Sequence, residues 1–277
     1  MSHSLPGFQY KLSLGQNFLF DSQLLHRLID QTGISPEDTV LEIGAGRGDL
    51  TLALAKRCRQ VITIEVDSRL EPVLSERFSG IENIELVMGD VMALDLPGLM
   101  KGYPPFHVAA NLPYYLTTPI LNLLFRLPLP LLSVNVMVQQ EAARRVLAVP
   151  GTPEYGPLAL LAKYKSLPRE TLKVPASVFT PPPKVDSVFL VMPFLPQPGL
   201  VPDEEEFLFH LVAAAFAMRR KTLANNLMAA FHLNRSEAAG FLLNAGLPGD
   251  IRGERLSLKE FIRLASILQQ ETKMKNQ

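Results

Sequence analysis

Asn111-Leu112-Pro113-Tyr114-Tyr115 is the stretch whose residue types and order speak most directly of chemistry. The Asn111 side-chain oxygen and the Leu112 carbonyl are acceptors, and Pro113 has no N–H to compete for them. Pro113 also fixes the backbone turn, and Tyr114 offers a flat face on which a planar ring can stack. Two acceptors beside a ring face describe a seat for an adenine-type exocyclic amine, which carries two N–H donors. Taken alone, the same residues also describe a polar strand end with structural tyrosines. The surrounding elements must decide.

The apolar run Phe106 to Ala110 just before this stretch predicts a buried parallel strand. Upstream, Thr39 to Ile43 predicts another, running into Gly44-Ala45-Gly46-Arg47-Gly48 and then a helix from Asp49 to about Lys56. Strand, glycine turn and helix open a doubly wound sheet that binds an adenosine-containing cofactor, and glycines let the backbone approach a ligand. A dinucleotide fingerprint wants a small residue where Asp49 stands, and an acid there opposes a pyrophosphate. That disfavours an NAD-dependent oxidoreductase and favours S-adenosyl-L-methionine. Strand Val61 to Glu65 ends in an acid about twenty residues after the glycine turn, where such folds place the carboxylate that accepts ribose hydroxyls. Asp67 competes for that role. Strand Ile84 to Met88 closes on Gly89-Asp90-Val91, with Asp90 an acceptor for an adenine amine and Val91 its apolar neighbour. Each acid alone fits a solvated strand end; together they mark the carboxyl ends of the strands, where ligands bind.

Before this core, Gln16 and Asn17 follow Gly15 in a segment that fits a turn or a lid, and Asp21 caps a helix running to Thr32. After it come a helix from Pro119 to about Arg126, a strand Leu132 to Gln139 and a helix Glu141 to Ala148. Arg144 and Arg145 on that helix fit a solvated face or an RNA contact. Leu158 to Lys165 and Ser187 to Met192 read as the last strands, an antiparallel pair. Between them, Phe179 is held by a stiff run of prolines, Pro181 to Pro183. Phe194 to Pro202 is a proline-rich linker. Beyond it only helices are predicted, over 203–218, 221–231, 236–245 and 258–270, with positive charge at Arg219-Arg220-Lys221. The organisation is therefore a catalytic domain over 1–195 and a helical, RNA-contacting domain over 203–277.

Hydrophobic residues make up 47% of the 277, enough for a buried core and against disorder. The net charge of zero gives no global nucleic-acid signal, so any RNA affinity rests on local clusters. A single cysteine, Cys58, excludes a disulfide framework and a multi-cysteine zinc site, and five scattered histidines suggest no metal. No run approaches a membrane span, and a cytoplasmic protein is expected.

With these pieces in order the chain resembles the ribosomal RNA adenine N6,N6-dimethyltransferases, on the side of the small-subunit (16S) enzymes. The resemblance rests on Leu14-Gly15-Gln16-Asn17-Phe18-Leu19, Leu41-Glu42-Ile43-Gly44-Ala45-Gly46-Arg47-Gly48, Gly89-Asp90 and Asn111-Leu112-Pro113-Tyr114. It continues through Phe179 with Pro183-Lys184-Val185-Asp186-Ser187, and Arg219-Arg220-Lys221-Thr222-Leu223. It implies an α/β, Rossmann-like methyltransferase sheet with a small all-helical C-terminal domain, and S-adenosyl-L-methionine as methyl donor. Asn17, Leu19, Gly44, Glu65, Asp90 and Asn111 would line the cofactor site, with Gln16, Gly46 and Val91 beside them. Asn111, Leu112, Pro113 and Tyr114 would carry catalysis, Tyr114 and Phe179 sandwiching the target base. Lys184, Arg219, Arg220 and Lys221, with Arg144 and Arg145, would meet 16S rRNA within the small subunit or its precursor, the enzyme acting as a monomer. Two departures stand out: Tyr115, where a small polar residue is commoner, and the near-neutral charge. The alternatives are a large-subunit (23S) adenine methyltransferase of the antibiotic-resistance type, a DNA adenine methyltransferase, and an assembly factor acting mainly by binding.

Overall fold

The computed structural model describes residues 17–19, 21–196 and 199–275. Contacts within the chain divide it into two units. The first holds the described residues up to Ala143 together with Ser166–Leu195; the second holds Arg144–Lys165 and the described residues from Pro196. The segment Arg144–Lys165, which the sequence places with the catalytic part, thus packs with the C-terminal helices.

The first unit contains β1 (Phe18–Leu19), α1 (Ser22–Asp30), β2 (Thr39–Ile43), α2 (Asp49–Ala55), β3 (Gln60–Glu65), α3 (Glu71–Phe78) and β4 (Ile84–Met88). It continues with α4 (Leu96–Leu99), β5 (Phe106–Asn111), α5 (Thr117–Arg126) and β6 (Leu131–Gln139); α6 (Gln140–Leu147) then carries the chain into the second unit. After α7 (Pro157–Lys165) the chain returns with β7 (Arg169–Val174), β8 (Phe179–Thr180) and β9 (Ser187–Pro193). Seven strands form one sheet in the order β4-β3-β2-β5-β6-β9-β7. The five from β4 to β6 are parallel, and β9 runs antiparallel to both its neighbours. Val40, Leu41, Val61, Ile62, Val108, Val134 and Val136 are fully buried, which is why these strands read as unbroken apolar runs. The chain order reverses between β2 and β5, and ligands of such sheets bind at that switch point.

α1 shows why its sequence is helical. Asp21 accepts the Leu24 N–H at 3.0 Å as N-cap, and Leu24, Leu25, Leu28 and Ile29 recur at helical spacing on the buried face. The expected strand Leu158 to Lys165 is instead the helix α7. Leu158 to Ala162 and Tyr164 are all buried, so the segment is apolar on every side and carries no period. The strand that pairs antiparallel with β9 is β7, whose Arg169, Glu170 and Lys173 are exposed at the sheet edge. An edge strand needs little apolar signal, and charge there blocks further pairing.

The second unit is helical: α8 (Pro202–Ala217), α9 (Leu223–Phe231), α10 (Arg235–Asn244) and α11 (Leu258–Lys275) join α7. Asn234 with Glu237, and Ser257 with Glu260, form capping boxes at the starts of α10 and α11. Gly253 abuts α8 so closely that a Cβ there would come within 2.6 Å of the Ala215 carbonyl oxygen. Among the described residues no helix is long and apolar enough to cross a membrane.

Candidate active site

At the end of β2 the Gly44 and Ala45 N–H groups donate to the Ile64 carbonyl of β3 at 2.8 and 3.1 Å, turning the chain out of the sheet. Gly44, Gly46 and Gly48 all have positive φ, a conformation that favours glycine, and they differ in what lies beside them. A Cβ on Gly44 would meet nothing within 4 Å, so the open space lies there. On Gly46 it would stand 2.9 Å from the Phe18 ring, and on Gly48 2.7 Å from the Phe78 ring of α3. Gly44 thus faces open space, while Gly46 and Gly48 also make room for side chains. Asp49, the acid that excludes a pyrophosphate, is itself paired with Arg77 at 2.9 Å.

Glu65 is buried at the end of β3 and gathers three backbone N–H groups. Its Oε2 accepts from Gly46 at 2.7 Å, and its Oε1 from Val66 and Asp67 at 3.0 and 2.9 Å. Burial pushes this carboxyl up from its ordinary value, against the pull of those N–H groups. Oε2 keeps a lone pair for a further donor. Asp67, the competing candidate, is bonded to Arg69, with Oδ1 to Nε at 2.8 Å and Oδ2 to Nη2 at 2.5 Å. After β4, Asp90 is exposed; its Oδ1 accepts the Met92 N–H at 2.9 Å, and Val91 beside it is buried.

A cavity lined by Phe18, Leu28, Gly44, Gly46, Asn111 and Asn135 joins the glycine turn to the end of β5. There the Asn111 Nδ2 donates to the Asn17 carbonyl at 2.9 Å. Neither the Asn111 Oδ1 nor the Leu112 carbonyl accepts a hydrogen bond from a described residue, while the Leu112 N–H is held by the Met137 carbonyl at 3.2 Å. Pro113 is extended (φ −56°, ψ 135°), and its carbonyl takes the Leu116 N–H at 3.0 Å. Tyr114 is half-buried; burial pushes its phenol above the usual value and the nearby Ser187 pulls it back. Phe179 departs from expectation. It is 3% exposed, packed with Leu19, Met137 and Phe189, because β8 pairs with β1 and turns its ring into the core. No open ring face remains there for a base. Gln16 lies outside the described residues; Leu19 lines the cavity, and Asn17 meets it through the Asn111 bond.

Two further groups escaped the sequence reading. Glu42 is fully buried on β2; its Oε2 accepts from the Thr51 and Thr63 hydroxyls at 2.5 and 2.7 Å, and its Oε1 has no partner among the described residues. Burial pushes its carboxyl up to about 8, with Glu65 and Asp49 adding to the rise. An acid inside an otherwise apolar strand was the available signal. Asn135 on β6 lines the cavity, its Nδ2 bonded to the Ser133 hydroxyl at 2.6 Å and its Oδ1 buried without a partner among the described residues.

The arginines and lysines divide. Lys184 in the first unit, and Arg144 and Arg145 in the second, are exposed. Arg219 is exposed but bonded within the second unit, its Nη2 on the Pro153 and Tyr155 carbonyls at 2.9 and 3.4 Å and near Glu254 at 3.5 Å. The side chains of Arg220 and Lys221 are exposed and make no bond to a described residue. The turn that carries them is braced by the buried Asn226, whose Oδ1 accepts the Met218 N–H at 3.1 Å and whose Nδ2 donates to the Ala215 carbonyl at 3.2 Å.

Residues 7–270 match the family described as ribosomal RNA adenine dimethylase. Ribosomal RNA small subunit methyltransferase A of Shouchella clausii is 42% identical over 269 residues, covering 95% of this chain and 90% of that protein. The protein of the same name from Streptococcus pneumoniae is 40% identical over 269 residues, covering 95% and 93%. Among solved structures, a dimethyladenosine transferase from Plasmodium falciparum superposes with a TM-score of 0.79 at 27% identity, over 92% of this chain and 98% of that one. The 23S rRNA methyltransferase ErmE superposes at 0.70 and 28% identity, over 91% and 100%.

Proposed function

This chain belongs to the ribosomal RNA adenine dimethylase family and is an S-adenosylmethionine-dependent methyltransferase, and from that premise we propose which RNA it modifies and with which residues. It dimethylates the N6 amines of two adjacent adenosines in small-subunit (16S) rRNA during biogenesis of that subunit. The identity of about 40% to proteins named for the small subunit supports this over the large-subunit reading. The observation that carries the assignment is the pair of acceptors, Asn111 Oδ1 and Leu112 C=O, at the end of β5 beside the glycine-turn cavity, which take no hydrogen bond from a described residue.

The open space at Gly44 and the spare lone pair of Glu65 fit the cofactor. Gly44, Glu65, Asp90 and Val91 would hold it, with Asn17, Leu19 and Gly46 bordering the site. When bound, S-adenosylmethionine supplies an electrophilic methyl group. The adenine N6 is a poor nucleophile because its lone pair is delocalised into the ring. By accepting both N–H bonds, Asn111 and Leu112 draw that nitrogen towards a tetrahedral shape and free the pair. Holding it in one place and direction supplies ~7–11 kcal/mol of barrier reduction. Tyr114 stacks on the base, and the amine sheds its proton to water. For the second methyl a single N–H remains, and one of the two acceptors suffices. We take the enzyme to act as a monomer; a ribosomal substrate supports the cytoplasm as its place of work.

The test is mass spectrometry of rRNA nucleosides with and without the gene. Dimethyladenosine should vanish from small-subunit rRNA and return on complementation; its loss from large-subunit rRNA instead would move the substrate to 23S.

The second unit, with Arg220 and Lys221, is the RNA-contacting part. Changing both to Ala should lower the slope of log affinity against log salt by about two, since each lost phosphate contact removes about one. Arg219→Ala should leave the slope in place and lower the melting temperature, because that guanidinium holds the Pro153–Tyr155 loop. Filter binding across salt concentrations reads the slopes and thermal unfolding the melting temperature; a slope lowered by about one in Arg219→Ala would return Arg219 to the RNA.

A further inference from the structure

The two-residue strand β1 touches three working parts of the first unit. Asn17, just before it, takes the Asn111 Nδ2–H on its carbonyl at 2.9 Å. Phe18 lies over Gly46, its Cε1 2.9 Å from where a Cβ would stand. Leu19 pairs with Phe179 and Phe18 with Thr180, antiparallel.

An asparagine amide has two ends of similar shape and opposite hydrogen-bonding sense. Turned by a half rotation, Asn111 would offer N–H groups to an amine that itself donates, and its oxygen would face the Asn17 carbonyl. Both contacts would be repulsive. A backbone carbonyl only accepts, so Asn17 can hold the nitrogen end and no other. The carbonyl works only while it stays in place. The anchor is the Phe18 ring, buried against Gly46, Leu70, Leu74 and Phe78.

We propose that Phe18 is a positioning residue: seated on Gly46, it fixes the Asn17 carbonyl, which selects the acceptor end of Asn111 for the substrate amine. Gly46 is then small for the sake of this seat. The same ring ties the orientation of Asn111 to the shape of the glycine turn, so the acceptor is set only when the turn is formed. The inference rests on Asn111 being the amine acceptor, and the test separates the two.

Two measurements on full-length protein decide it. In protein labelled with 15N-asparagine, the Asn111 side-chain amide is assigned by its absence in Asn111→Ala. Solvent exchange of its bonded proton should quicken ~10-fold or more in Phe18→Ala. At saturating cofactor, Phe18→Ala should slow single-turnover methylation of undermethylated small subunits about 10–100-fold, the scale of a small misplacement. In the Asn111→Ala background the same change should slow it little, because its route of action is already gone. If the two slowdowns multiply and the exchange rate is unchanged, Phe18 acts elsewhere and the inference is wrong. If Asn111→Ala alone retains the wild-type rate, it is the acceptor reading that fails. Should Phe18→Ala not fold, Phe18→Leu keeps the apolar volume without the flat ring, and the same exchange measurement decides.

Discussion

Asn111→Ala is expected to slow methyl transfer in a single turnover about 10²–10³-fold, by analogy with removal of one preorganised oxyanion donor. The reason is differential binding. The bond from the amine to Asn111 Oδ1 strengthens as the nitrogen becomes tetrahedral, so its loss falls on the transition state more than on the bound substrate. Binding of small subunits should change little, because the second unit and Tyr114 are untouched. Asn111 lines the cavity beside Gly44, so cofactor affinity has to be measured on the same variant and the rate taken at saturation. Asn111→Asp sharpens the reading. Its carboxylate keeps an acceptor for the amine but has no N–H for the Asn17 carbonyl, 2.9 Å away in the native chain. Wild-type rates from Asn111→Ala on undermethylated subunits would end the amine-seat mechanism.

Glu42→Gln should change how stability depends on pH. Burial raises the Glu42 carboxyl from 4.5 to about 8 in the folded chain. Between those values the folded protein keeps a proton that the unfolded chain has released, so this group's contribution to stability falls as pH rises through the window. Below pH 4.5 both states hold the proton, and above about 8 neither does, so the loss is confined between. Its size is ~2–5 kcal/mol. A glutamine there still accepts the Thr51 and Thr63 hydroxyls on its oxygen and has nothing to titrate. Guanidinium unfolding at pH 5, 6, 7 and 8 should therefore show the variant gaining on the native protein at each step. A constant difference would mean that Glu42 is ionised throughout, and that the charge of a buried acid is balanced locally.

What could be read from the sequence was what local chemistry dictates. The glycine turn, the acids at strand ends, the Asp21 cap and the Ser257–Glu260 box each announce themselves within a few residues. What resisted were features set by distant partners. Glycine spacing says that Gly46 and Gly48 must be small, but not that one makes way for Phe18 and the other for Phe78. Phe179 looked like an available ring until its pairing with Leu19, far off in sequence, turned it inward. Arg219 reads as one charge of three, and only the fold spends it on the Pro153 and Tyr155 carbonyls. The exchange of α7 for β7 has the same origin. A short run buried on all sides has no period, whereas a charged edge strand borrows its order from β9.

The way β9 lies between β6 and β7 has a consequence for synthesis. β6 is complete at Gln139, yet its antiparallel neighbour does not begin until Ser187. In between, the chain leaves to provide Arg144–Lys165, a piece whose own companions start only at Pro196. A nascent chain emerging from the ribosome therefore carries a nine-residue apolar strand with one side unpaired for some fifty residues of elongation. Such an edge is a template for pairing with other chains. The first unit cannot close until Leu195 has emerged, and Arg144–Lys165 waits longer still, for the residues from Pro196. Expression at reduced translation rate would lengthen that exposure, and fragments ending near Ala143 would make it permanent.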